Sequence, residues 1–195
     1  YRRGIFPWYN EGQPIMWWSP DPRCVLELRD IRISRSLRKT LRRQGFRVTL
    51  NRDFSGVIKS CAAPRQGSAD TWITRELMRS FNALHAAGFA HSIECWHEDK
   101  LAGGLYGLAM GRVFFGESMF SRKPDASKVA LVHLCRFLQS QKFRLIDCQV
   151  YSPHLRSLGA KPIPRKLFAN LLKHYCFVKA RTDWHSRELV YDQKS

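Results

Sequence analysis

Acidic side chains are scarce in this chain. Only 16 Asp and Glu stand against 33 Lys and Arg in 195 residues, which leaves a formal charge of +17 at pH 7. An imbalance of that size on a globular chain points to a polyanionic partner, nucleic acid first and an anionic membrane second. Long apolar runs are missing too. No stretch approaches the roughly 20 residues that a membrane-spanning helix needs, and no signal-peptide pattern opens the chain. The six cysteines (24, 61, 95, 135, 148 and 176) form no C-x-x-C pair, so the zinc-ribbon and redox motifs are unsupported. They read as buried, reduced thiols of a cytoplasmic protein. His85, His91 and His97, with Cys95 close by, fit no usual ligand spacing, and no metal is expected. Internal repeats and low-complexity tracts are also absent.

What remains is enough for a core: 44% of the residues are hydrophobic and 12% aromatic, in a length that suits one domain with at most a small appendage. The charge is uneven. Residues 1–66 hold 14 basic and 5 acidic side chains, residues 67–135 hold 7 of each, and residues 136–195 hold 12 and 4. Two basic ends flank a neutral middle, the expected place of the core and of a site.

Residues 1–24 carry Trp8, Trp17, Trp18 and four prolines, a density that leaves no helix or strand period. The span reads as an ordered loop, its tryptophans either stacking on bases or packing onto the body. SRSLRKTLRR at 34–43 reads as a short amphipathic helix with Leu37 and Leu41 inward and Ser34 or Ser36 as cap. Arg35, Arg38, Lys39, Arg42 and Arg43, with Arg29, Arg32, Arg47 and Arg52 around them, meet only Asp30 as an acid between 29 and 52. That one-sidedness favours phosphate contacts over an ordinary solvated face. A second helix is expected over 75–87, capped by Thr74 and stopped at Gly88. Strands follow at 89–96, 101–110 and 112–121, the last two a hairpin around Gly111. A helix from Asp125 to about Gln141, a strand at 144–150, a helical turn at 152–159 and a helix after Pro164 complete an α/β or α+β order of the acetyltransferase type.

Two segments carry candidate chemistry. In RLIDCQV, alternation puts Leu145, Asp147 and Gln149 on one face and Ile146, Cys148 and Val150 on the other. A carboxylate and an amide inside an apolar strand need partners, either a structural hydrogen-bond network or a site. In GESMFS, Glu117 follows a glycine that admits a ligand or backbone, and serves either to hold a ligand amine or as an edge-strand charge. The stretch RKPDASK, where a coenzyme A enzyme needs a glycine-rich pyrophosphate turn, has no glycine, and its proline lacks an N–H. An acyl donor borne on nucleic acid fits both that gap and the basic charge.

The stretches YRRGIFPW (1–8), WWSPDPR (17–23), ISRSL (33–37), TWIT (71–74), HSIE (91–94), GGLYG (103–107), GESMFS (116–121), ASK (126–128), LIDCQ (145–149), SLGA (157–160) and IPR (163–165) recur in the order of one family. The chain resembles the bacterial leucyl/phenylalanyl-tRNA–protein transferases over about residues 1–165. The resemblance implies transfer of Leu or Phe, and less well Met, from aminoacyl-tRNA to proteins with N-terminal Arg or Lys, making an N-end rule degradation signal. It implies an acetyltransferase-like (GNAT-type) domain at 24–195 behind a remnant of a small N-terminal domain at 1–23, with residues missing ahead of Tyr1. By position it implies Asp147 and Gln149 at the reacting centre and Glu117 at the α-amino group. It implies Trp8 and Trp72 around the terminal adenosine, and Leu105, Phe114, Met119, Leu131, Leu134 and Ile146 as the side-chain pocket. Arg35, Arg38, Lys39, Arg42 and Arg43 are the expected tRNA backbone contacts. No cofactor, no metal, no membrane and a monomer are expected. Two other readings are a non-catalytic basic RNA-binding protein on an acetyltransferase-like scaffold, and a leucyltransferase for N-terminal Asp or Glu.

Overall fold

The computed structural model describes residues 1–10, 12–43, 45–64, 71–178 and 182–191. Near the start, β1 (Phe6–Pro7) and β2 (Trp17–Trp18) pair as a small antiparallel ladder in the span expected to be loop. The main sheet is built from β3 (Arg23–Glu27), β4 (Arg47–Leu50), β5 (Ala90–His97), β6 (Lys100–Met110), β7 (Val113–Ser121), β8 (Leu145–Gln149), β9 (Lys161–Ile163) and β10 (Arg187–Glu188). Their spatial order is β10-β4-β5-β6-β7-β8-β3-β9. Every neighbouring pair in it is antiparallel except β7 and β8, which run parallel. The helices are α1 (Arg35–Arg42), α2 (Phe54–Ala62), α3 (Arg75–Ala86), α4 (Ala126–Ser140), α5 (Pro153–Ser157) and α6 (Arg165–Tyr175).

The helices cover both faces. On one face α4 and α1 bury Leu37, Leu41, Leu131, Leu134 and Leu138 against Leu26, Leu50, Ile93, Phe114 and Ile146 of the sheet. On the other, α2, α3 and α6 bury Val57, Ile58, Phe81, Phe168 and Leu172 against Val25, Tyr106, Phe115 and Leu145. A parallel pair requires a crossover between its strands, and α4 supplies it between β7 and β8. It is buried on nearly every side because the sheet lies under it and α1 and the C-terminal residues lie beside it.

Local chemistry explains the helix starts. Ser34 Oγ accepts from Leu37 N at 3.2 Å, Thr74 Oγ1 from Leu77 N at 3.2 Å, and Ser152 Oγ from Leu155 N at 3.2 Å. Gly88, at φ +79, takes the left-handed turn that ends α3. Asp125 departs from expectation. It precedes α4 in a left-handed conformation, and its carboxylate makes no cap. The carboxylate is taken instead by Thr40 Oγ1 at 3.2 Å and Lys128 Nζ at 2.9 Å, tying α1 to α4. The strands β3, β4, β9 and β10 and the helix α2 are elements that the sequence pattern did not place.

Candidate functional site

The parallel pairing of β7 with β8 covers only Val113–Leu145, Phe114–Ile146 and Phe115–Asp147. Beyond it both strands carry a bulge. In β7, Tyr106 faces Ser118 while Gly107 faces Gly116, so Glu117 is the extra residue. In β8, Cys24 faces Gln149 while Val25 faces Asp147, so Cys148 is the extra residue. Bulges re-aim side chains and end pairing. Here they separate the two parallel strands at their carboxyl ends and place Glu117 and Gln149 across the gap.

The bulge overturns the expected sharing of a face by Asp147 and Gln149. Asp147 is fully buried and turns to Arg23, which is equally buried. Arg23 Nε donates to Asp147 Oδ1 at 2.8 Å and Nη2 to Oδ2 at 2.7 Å. Its remaining nitrogen reaches the Gly4 carbonyl at 3.1 Å, and its guanidinium lies 4.8 Å from the centroids of both Phe6 and Phe168. Asp147 Oδ1 also accepts the Gln149 backbone N–H at 2.9 Å. Gln149 itself sits at φ +60, a costly conformation for a residue with a side chain. The ion pair and that N–H bond hold it there, so Asp147 acts on the Gln149 main chain and not on its side-chain amide.

The Gln149 side chain turns instead to the α4 side, where its Nε2 donates to Glu117 Oε1 at 3.0 Å. Glu117 Oε2 is buried without a hydrogen bond of good geometry; the Tyr1 hydroxyl, also lacking one, faces this carboxyl closely enough to favour its charged form, and the buried Tyr106 hydroxyl lies nearby. Burial is the main cause that pushes the Glu117 carboxyl up to about 8; nearby Asp147 adds to it, and the Tyr1 hydroxyl and the Gln149 amide oppose it. An unpaired buried carboxyl oxygen is a standing demand for a donor or a cation.

Glu117 and Gln149 are the charged and amide side chains lining a cavity of about 130 Å³ between the sheet and α4. Its walls include Leu105, Phe114, Met119, Leu131, Leu134 and Ile146, with Cys148 and Leu155. The structure thus brings together eight of the expected site residues, Glu117, Gln149 and the six apolar ones. It does not bring Asp147, Trp8 or Trp72 to that cavity. Trp8 is half-exposed, its carbonyl accepting Trp18 Nε1 at 2.7 Å, and Trp72 packs beside the core under α2 and α3. Arg35, Arg38, Lys39, Arg42 and Arg43 all stand exposed on α1 and line one shallow depression. Among the described residues none of the five forms an ion pair. The buried partner of Asp147, Arg23, was not read from the sequence, although an arginine opening the apolar run RCVLE carries the same demand for a partner as Asp147 does. Among the described residues no cluster of three or more His, Cys, Asp or Glu side chains could hold a metal ion, and no helix is long and apolar enough to cross a membrane.

The structure defines a mixed α/β protein with an exposed basic helix and an apolar cavity lined at one side by a carboxyl and an amide. Family comparison is more specific. The model of the leucyl/phenylalanyl-tRNA protein transferase family matches residues 25–173, and the model of that family's N-terminal domain matches residues 1–21. The chain belongs to the leucyl/phenylalanyl-tRNA protein transferase family. A leucyl/phenylalanyl-tRNA–protein transferase of Azoarcus sp. (strain BH72) is 56% identical over 175 residues, covering 90% of this chain and 74% of that protein. One from Pseudomonas syringae pv. syringae (strain B728a) is 52% identical over 189 residues, covering 97% and 82%. Among solved structures, L-PGS from Bacillus licheniformis aligns at a TM-score of 0.47 and 14% identity, over 90% of this chain and 60% of that one.

Proposed function

We propose that this enzyme transfers Leu or Phe, and less well Met, from aminoacyl-tRNA to the N-terminal Arg or Lys of an acceptor protein, in the cytoplasm. The observation that carries the site assignment is the Gln149–Glu117 hydrogen bond at the mouth of an apolar cavity, with Gln149 held at φ +60 by the buried Arg23–Asp147 pair. The cavity takes the acyl side chain. Glu117 faces the α-amino group, whose positive charge is the partner that burial denies its carboxyl, so substrate binding and Glu117 ionisation are linked. Trp8 and Trp72 stack near the terminal adenosine, and the five α1 cations meet the phosphate backbone. The splayed ends of β7 and β8 fit an acetyltransferase-type (GNAT-like) scaffold for residues 24–195, preceded by a small N-terminal region over 1–23.

The donor ester is already activated, so positioning does most of the work; orientation of this kind is worth up to roughly 7–11 kcal/mol. With its N–H on Glu117, the Gln149 amide turns its carbonyl oxygen to the incoming amine and to the positive charge that develops there. A C–N bond forms at the acyl carbon, the ester C–O bond breaks, and the proton lost by the amine ends on the released tRNA hydroxyl. Gln149 is no base near neutral pH and keeps no proton. Asp147 is a positioning residue, acting through the Gln149 backbone.

Single-turnover transfer from charged Leu-tRNA to peptides starting in Arg, Lys, Asp or Glu tests this. Extension of the Arg and Lys peptides alone is expected, with Gln149→Ala slowing it by about 10²–10³ while tRNA binding is nearly kept. Wild-type rates in Gln149→Ala sink the site assignment. Extension of the Asp and Glu peptides makes the enzyme a different leucyltransferase, and tRNA binding without any extension makes it an RNA-binding protein.

A further inference from the structure

Residues 182–191 lie beyond the span that the family model matches, and they cross the α4 side of the sheet. There β10 forms the edge of the sheet by pairing with β4, and Leu189 N donates to Val48 O at 2.8 Å. Just before β10, Trp184 packs partly buried against the core. Its ring stacks on His91 at 3.7 Å with 7° between planes, meets Phe137 edge-on at 5.0 Å, and lies 6.2 Å from Phe114 at 30°. Its position is fixed through the main chain, since its carbonyl accepts Asn51 Nδ2 at 2.7 Å. That same amide nitrogen lies 3.1 Å from His91 Nδ1, and Asn51 Oδ1 accepts the Ser92 N–H at 2.9 Å.

Phe114 is the link to the site. Its ring lines the cavity together with Leu131, Leu134 and Ile146. It lies across β6 at Gly107, where a Cβ would come within 2.6 Å of Phe114 Cε1. Gly107 therefore provides the room that the ring occupies, and Trp184 is an aromatic neighbour of that ring that does not itself line the cavity.

We propose that Trp184 is a positioning residue for donor choice: by fixing the Phe114 ring it sets how large an acyl side chain the cavity admits. The inference rests on reading that cavity as the acyl side-chain pocket. Leu and Phe differ by a few carbons, and one methylene in an apolar pocket is worth about 10–200-fold in selectivity. A wall that moves by a fraction of a ring width therefore changes the ratio. Truncating Trp184 opens a void behind Phe114, the ring relaxes towards it, and the cavity lengthens.

The test compares kcat/KM for Phe-tRNA and Leu-tRNA on an Arg-peptide, using the full chain. Trp184→Ala is expected to shift the ratio roughly tenfold towards Phe, and Trp184→Phe, which keeps a supporting ring, to restore it to within about twofold. Trp184→Leu serves if the alanine variant does not fold, with a smaller shift in the same direction. Equal losses with both donors, or an unchanged ratio in a folded variant, overturn the proposal. Leu131→Phe, which narrows the cavity directly, separates the two levels. If it leaves the ratio unchanged, the pocket reading itself fails. If it changes the ratio while the Trp184 variants do not, only the role of Trp184 fails.

Discussion

Arg23 lies wholly buried, both edges of its guanidinium used and two aromatic rings against it, whereas the arginines of α1 stand in solvent without a carboxylate partner among the described residues. The side chain is the same and the energetic setting is opposite. A buried charge is tolerable only when its partner is present, so the Arg23–Asp147 pair is a conditional structure, worth little against an apolar substitute and costly to break. Exposed charges cost nothing to keep and are free to attract phosphate, with a strength that salt controls. The difference separates cations that shape the protein from cations that serve its partner.

The largest effect should come from breaking the buried side of this comparison. Arg23→Ala leaves Asp147 unpaired and is expected to lower stability by about 3–5 kcal/mol in chemical denaturation. Arg23→Lys should recover only a fraction of that, because an ammonium cannot reproduce the two-pronged contact.

A smaller, pH-gated effect is expected at Glu117, whose carboxyl is raised to about 8 by burial. A folded-state value above the unfolded one means that the native protein holds the extra proton. The stability tied to that proton is fully present below the unfolded carboxylate value, near 4.5, and is lost as pH rises to about 8. Glu117→Gln removes this contribution, so the wild-type denaturation midpoint, measured relative to that of the variant, should fall as pH rises across that window.

The exposed side should respond least in stability. Reversing Arg38, Arg42 and Arg43 to Glu is expected to change stability by no more than about 0.5 kcal/mol each. The slope of log affinity for tRNA against log salt should drop by about 0.7–0.9 for each phosphate that the variant no longer neutralises. An unchanged slope would mean that α1 is only a solvated face.

Legibility in the sequence followed the kind of signal each element carries. Helices α1 and α3 were readable because a hydroxyl cap, an apolar stripe and, for α3, a glycine stop coincide in each. The hairpin at Gly111 was readable because two strand-like runs meet there. Helix α2 does carry a stripe, Phe54, Val57, Ile58 and Cys61, behind the cap Asp53, whose Oδ1 accepts Gly56 N at 2.8 Å. Its glycine and β-branched residues give it little helical propensity, so burial against the sheet makes it a helix. The strands β9 and β10, three and two residues long, have no period to read and exist through their pairing partners. At the site, the residue types and their motifs were legible. Their directions were not, since alternation fails at Cys148, and an extra residue in a strand leaves no mark in hydrophobic periodicity.

The two bulges divide β7 and β8 into independent reading frames. Upstream, which residues face inward is dictated by the core; downstream, the phase is reset, and the side chains of Glu117 and Gln149 turn to the cavity. For protein engineering this makes the distal ends of the two strands a replaceable cassette. Substitutions there can retune what the cavity holds without disturbing the pairing between Val113 and Leu145, whereas deleting the extra residue of β7 would turn Ser118–Ser121 over against β6.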